Sequence, residues 1–179
     1  MRVTMMLADH AQVADGKLFI SGGGWSSCGP GPIPCSVAVI FHVPWQHTNE
    51  KVQFSLRLND EDGHPVTQPG PRGPQPVQVN GQFEAGRPPG MTPGTEIGVP
   101  MTFGSVLHLP PARRYTWVLE VSGQAEEDWR LSFATREAQA AVELINGRAL
   151  PRGCARTWGC AASVSSRVLP RRRRAASAP

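Results

Sequence analysis

The run Val52-Gln53-Phe54-Ser55-Leu56-Arg57-Leu58-Asn59 alternates apolar and polar side chains without a break. Successive side chains on a strand point to opposite faces, so this spacing predicts a strand with one face buried and one in water. Tyr115-Thr-Trp-Val-Leu-Glu-Val-Ser122 carries the same period. Working outward, Val37-Val39-Phe41-Val43, Val77-Val79 continuing to Phe83, Ile97-Val99-Met101-Phe103 and Trp129-Leu131-Phe133 read alike, with shorter runs at 3–7, 18–20 and 106–109. Turn formers fill the breaks: Asp15-Gly16 as a hairpin signal, Asp62-Gly63 after the Val52 strand, and Gly123 before Trp129. No helical period long enough for a parallel crossover interrupts residues 3–135, so the predicted fold is all-β, an antiparallel β-sandwich of about 8 to 9 strands.

Proline placement agrees, because proline donates nothing to a ladder and is confined to edges, strand ends and bulges. Of the 18 prolines, only Pro100 falls inside a run, which marks 97–103 as an edge or bulged strand. The stretch Gln68-Pro-Gly-Pro-Arg-Gly-Pro-Gln-Pro76 lacks periodicity and reads as a mobile or polyproline-like loop.

The pattern changes at Thr135. Ala138, Ala141, Val142 and Ile145 follow helical spacing, with Thr135 as a candidate cap and Gly147 as a stop, so a short helix is expected over 136–147. Residues 148–179 are rich in Arg, Ala and Pro without alternation, and their composition predicts a disordered basic tail. The expected division is thus a β-sandwich domain at 1–135, a short helix, and the tail. That arginine, alanine, proline and glycine are read from GC-rich codons raises a further reading, a frameshift beyond about residue 136, which in-frame third-position GC bias through codon 179 would refute.

The chain has 179 residues, room for one ordinary domain plus a tail, and Gly and Pro number 19 and 18, which makes it rich in turns. The net charge of +4 first suggests a phosphate-bearing partner. Its distribution weakens that idea. Residues 1–135 carry nine Lys and Arg against twelve Asp and Glu, while 136–179 carry nine Arg against two Glu. The body is mildly acidic and the basic character belongs to the tail. Arg171, Arg172, Arg173 and Arg174 offer only nonspecific nucleic-acid contact, since no aromatic residue interleaves them.

Cys28, Cys35, Cys154 and Cys160 have C-x6-C and C-x5-C spacings, outside the usual zinc knuckles, so free thiols and no metal or cofactor are expected. Asp9 and His10 interrupt the apolar N-terminus before it reaches signal-peptide length, and no window is apolar enough to span a membrane; a soluble cytoplasmic protein is the expectation. The histidines at 10, 42, 47, 64 and 108 fall in no recognised catalytic frame. Ser21-Gly22-Gly23-Gly24 follows a strand without opening a helix, so it reads as a glycine bulge or wide turn, not a phosphate loop. Asp60-Glu61-Asp62 before Gly63 misses calcium-loop spacing and reads as a solvated hairpin tip.

The weak site candidates are Asp9, His10, Trp25 and Trp45. A carboxylate beside an imidazole can hold its tautomer, although a surface loop pair explains Asp9-His10 as well. Trp117 and Trp129 share parity with buried leucines and belong to the core, whereas Trp25 and Trp45 lie at strand ends beside Gly24 and Pro44, where a ring can stay exposed for a sugar. Tyr115, the single tyrosine, follows a proline turn and suits a tyrosine corner.

The opening Leu7-Ala-Asp-His-Ala-Gln-Val-Ala-Asp-Gly-Lys-Leu-Phe-Ile-Ser-Gly-Gly-Gly-Trp25 resembles that of a family of small uncharacterised bacterial proteins known only as a domain of unknown function. Val43-Pro-Trp45, Phe54-Ser-Leu-Arg-Leu58 with Glu61-Asp-Gly63, Phe83-Glu-Ala-Gly-Arg-Pro-Pro-Gly90, Leu109-Pro-Pro-Ala-Arg-Arg-Tyr-Thr-Trp117 and Trp129-Arg-Leu-Ser-Phe133 extend the resemblance over about 3–135. It implies a compact β-sandwich, with no activity or catalytic residue to carry over. The family pattern has Pro-Gly where this chain has Pro111-Ala112 before Arg113. The functional expectation is a non-catalytic module that binds or scaffolds a protein or small ligand; the alternatives are a carbohydrate-binding accessory domain and nucleic-acid contact through the tail.

Overall fold

The computed structural model describes residues 1–71, 73–137, 144–145 and 148–149. Two sheets face each other. The four-stranded sheet has the order β2 (Lys17–Gly23), β1 (Arg2–Ala14), β4 (Gly31–Val43), β9 (Ile97–Leu109), all antiparallel. The five-stranded sheet has the order β3 (Ser27–Cys28), β11 (Arg130–Thr135), β10 (Arg114–Val121), β5 (Lys51–Asp60), β8 (Gln78–Glu84), antiparallel except for the short β3–β11 pair. This is the expected β-sandwich. The alternation read in the sequence becomes burial: Val52, Phe54, Leu56 and Leu58 from β5 and Tyr115, Trp117, Leu119 and Val121 from β10 meet Val37, Val39 and Phe41 from β4 in one apolar core. Phe54 touches Phe41 and Phe103 across the sheets, with ring centroids 5.7 and 5.4 Å apart.

Asp15 and Gly16 close the β1–β2 hairpin, both with positive φ (50° and 68°), the combination a two-residue turn of matching twist requires. β1 is shared. Its first half pairs with β4 from Arg2↔His42 to Ala8↔Ser36, and its second half pairs with β2 from Ala8↔Gly23 to Ala14↔Lys17. Ala8, Ala11, Ala38 and Leu18 form a second, small cluster. Ala38 lies between Val37 and Val39, which face the core, so it faces outward. The hairpin arm therefore folds over the outer side of the four-stranded sheet, bringing β1 and β2 into contact with β9 across β4.

Three expectations change. Runs 97–103 and 106–109 are one strand, β9; it is an edge strand, which is why Pro100 is tolerated within it. The Gln68-Pro76 stretch is a hairpin, β6 (Thr67–Gly70) on β7 (Gly73–Pro76), because Pro69 and Pro74 oppose each other in a two-stranded ribbon that needs few ladder donors. Thr135 caps no helix: it is the last residue of β11, and its hydroxyl donates to the Pro110 carbonyl at 2.7 Å and accepts the Arg113 N–H at 3.1 Å.

Most of the expected helix at 136–147 lies outside the described residues. Its positions Leu144–Ile145 (β12) are extended and pair antiparallel with Arg148–Ala149 (β13). The tail was expected over 148–179; its first two residues, Arg148–Ala149, are the extended β13, and the remainder, with Cys154, Trp158, Cys160 and Arg171, Arg172, Arg173 and Arg174, lies outside the described residues.

Candidate functional site

β2 ends in Gly22 and Gly23, and Gly24 follows where the chain leaves one sheet for the other. Gly22 and Gly24 have φ of 63° and 84°, conformations that favour glycine. Gly22 also makes room for a neighbour, since a Cβ there would stand 2.2 Å from Asp9 Oδ2. Gly22 and Gly23 thus belong to the strand, and only Gly24 lies in the turn that follows it. It lets Trp25 swing back so that its ring meets Phe133 edge-on, with centroids 5.4 Å apart at 88°.

Around this turn opens a groove of about 510 Å³, lined by Asp9 from β1, Gly22 and Gly23, Trp25, Cys28 from β3, the prolines at the head of β4, and Arg136 just beyond β11. Two of the four sequence candidates, Asp9 and Trp25, therefore converge. The indole N–H of Trp25 is buried without a hydrogen-bond partner. Arg136 donates from its backbone N–H to the Cys28 carbonyl at 2.9 Å and from Nε to the same oxygen at 3.4 Å, which ties the guanidinium to the groove wall. The Cys28 thiol donates to the Ala134 carbonyl at 3.7 Å. Burial raises its pKa, while the Arg136 charge works in the opposite direction. Asp9 forms no ion pair among the described residues. The groove so offers a carboxylate, a guanidinium and a thiol beside the Trp25 side chain. Arg136 and Cys28 were not legible as site residues, because parallel β3–β11 pairing joins them and nothing in the local sequence announces it.

His10 does not join the groove chemistry. Asp9 and His10 sit within β1, not in a loop, and adjacent strand residues point to opposite faces. Trp45 stands elsewhere, in a 3-10 turn (Trp45–His47), with the Arg87 guanidinium 4.7 Å from its ring centroid. Arg87 also donates to the Trp45 carbonyl at 3.2 Å and to the buried Thr48 hydroxyl, so the cation pins this turn to the chain after β8. Trp25 and Trp45 are half-buried, less than the nine-tenths that would exclude ring stacking on both. Trp117 and Trp129 are buried as expected. Tyr115 is buried, but its hydroxyl makes no hydrogen bond among the described residues, so the tyrosine corner is absent there.

The turn after β5 brings donor atoms of Asp60, Asp62 and His64 within 4.8 Å of one another, a grouping that could hold a divalent cation. Asp60 Oδ1 already accepts the N–H groups of Asp62 at 3.1 Å and His64 at 2.8 Å, the work of a turn-capping carboxylate. Deeper in the core, burial pushes the Cys35 thiol up to about 11, partly offset by the Trp117 indole N–H, which nevertheless falls short of hydrogen-bond geometry with any acceptor.

Fold and groove together define a small antiparallel β-sandwich with a polar groove where one sheet hands the chain to the other. The chain belongs to a family of unknown function, DUF6941, whose model matches residues 3–134. No curated protein and no solved structure matches it. Among the described residues, no helix is long and apolar enough to cross a membrane.

Proposed function

We propose that the protein is a non-catalytic binding module whose groove between the β2–β3 turn and the head of β4 takes a short peptide segment or a small polar ligand. The observation that carries this reading is the convergence of Asp9, Trp25 and Arg136, from three distant parts of the sequence, on one groove. Ligand sites combine an apolar wall with a few converging polar groups, and this groove does so with both signs of charge. The carbohydrate alternative has less support, because Arg87 covers one face of Trp45.

The test is an NMR titration of the full chain with a library of zwitterionic tripeptides and small polar fragments. Saturable shifts confined to residues 22–28 and Arg136, lost in Asp9→Asn and Arg136→Ala, are the expected result, with every ligand recovered unchanged. Binders that all map elsewhere, or ligand turnover that depends on the groove, would sink the reading.

A further inference from the structure

Strand β2 ends the four-stranded sheet: β1 pairs with one of its sides, and among the described residues no strand pairs with the other. The phase of the hairpin decides which backbone groups are left over. Asp15-Gly16 is a two-residue turn, so the flanking Ala14↔Lys17 pair exchanges its hydrogen bonds, and every second pair along an antiparallel ladder does the same. Gln12↔Phe19 and His10↔Ser21 are therefore bonded pairs, and the N–H and C=O groups of Leu18 and Ile20 point outward. The side chains of this arm are apolar and in water. Phe19 is 49% exposed and Val13 and Ile20 are 40% exposed, which places three of the seven large apolar side chains exposed among the described residues on one hairpin. Sheet edges are blunted by shortness, proline or cover. The other three edges have such devices: β3 is two residues long, β9 contains Pro100, and the β6–β7 hairpin lines one cleft with Gln78 and Val79 of β8. From Leu18 to Ser21, β2 has neither charge nor proline.

We infer that this edge is the docking surface for a second copy of the chain, with two β2 strands pairing antiparallel about a two-fold axis at Phe19. Gly22, with φ of 63°, leaves extended geometry, which limits the usable edge to Lys17–Ser21, and Phe19 is its middle residue. Outward groups must meet outward groups, so Leu18 of each copy lies opposite Ile20 of the other and both ladder bonds of that pair can form. Lys17, the only charged residue of β2, then faces Ser21 of the other copy and not a second lysine. Phe19 meets its own counterpart at a non-hydrogen-bonded position, where Cα atoms stand about 4.5 Å apart and cross-strand side chains come closest. Within each hairpin Leu18 opposes Val13 and Ile20 opposes Ala11. The same register therefore sets Val13, Leu18, Ile20 and Ala11 in one apolar row across four strands. This match arises from the sequence of the edge against itself, which favours a second copy over an unrelated strand. The exposed half of Phe19, about 100 Å², with the flanks of Val13 and Ile20, falls well short of the roughly 800 Å² per partner of a standard stable interface, so the dimer is weak and reversible.

Sedimentation velocity of the full-length chain, in a thiol reductant and from about 5 to 500 μM, is expected to show a monomer–dimer equilibrium with a Kd on the order of 10–100 μM. Phe19→Lys opposes two like charges at the axis and weakens the dimer about tenfold or more, whereas Val79→Lys, at the exposed apolar residue of the β8 edge, leaves the Kd unchanged. In the wild type, amide exchange at Leu18 and Ile20 slows as concentration rises, while that of Phe19, already bonded to Gln12, does not. This readout decides the matter even if Phe19→Lys fails to fold. A monomer at every concentration overturns the assignment. So does a dimer that folded Phe19→Lys leaves intact, one that Val79→Lys abolishes, or one that forms without slowing exchange at Leu18 and Ile20.

Discussion

Ala112 holds φ at 56° in the turn between β9 and β10, a left-handed conformation in which a Cβ crowds the following carbonyl. Ala112 is thus a residue with a side chain at a position whose backbone favours glycine. The turn keeps its shape because the Thr135 hydroxyl bridges Pro110 and Arg113 and the Ala112 N–H reaches the Arg136 carbonyl at 3.4 Å. Ala112→Gly relieves the crowding at some cost in unfolded-chain entropy, and is expected to stabilise the protein by about 0.5–1 kcal/mol, or roughly 2–4 °C in Tm by calorimetry. An unchanged or lower Tm would mean that the Thr135 bridge, not the left-handed φ, dominates this turn. Gly22 and Asp9 show the opposite case: the glycine was readable as a turn former, but its role in seating a carboxylate required knowing which strand lay beside it.

At the scale of the element, strands with an unbroken period were legible, and β5 and β10 bury the residues that their parity selects. Elements whose logic is not periodic were missed. β9 reads as two runs because Gly104 and Ser105 carry no apolar signal, and β6 and β7 read as a loop because proline masks extended pairing. The groove was only half legible for the same reason, since Arg136 reaches it through the two-residue β3–β11 pairing. The β1–β2 arm is another example: the turn was evident, but its folding across the sheet is explained only by small residues at Ala8, Ser36 and Ala38 that leave space for Leu18 and Ala11. Leu18→Asp puts a charge against that small cluster. Global stability should fall by about 1–3 kcal/mol in urea unfolding, and amide exchange should quicken in β2 before β5. Uniformly faster exchange would show that the arm is not a separable unit.

For the whole molecule, the two sheets act as one cooperative body, and Cys35 offers a reporter of it because β4 places the thiol beside Trp117 of the opposing sheet. Its pKa is about 11 in the folded protein against 9.0 in the open chain. Between those values the folded state keeps a proton that the unfolded state has lost, so stability declines as pH rises through that window and is constant with respect to this group below it. Two units correspond to about 2–3 kcal/mol, read as a shrinking stability difference between wild type and Cys35→Ala from pH 9 to 11. Parallel curves would mean that the core opens locally around Cys35 before it unfolds. The position of β4 carries a different consequence, for the order of assembly. Its segment Ser36-Val-Ala-Val-Ile-Phe-His42 has neither charge nor proline, the composition of a self-associating strand. In the finished sheet β1 and β9 shield both its edges, yet β9 is separated from it by all the chain from Pro44 to Glu96. Each newly made chain therefore passes through an interval in which its stickiest strand has one partner and one open edge, and the time taken to close that long loop sets how much of the protein a cell recovers in soluble form.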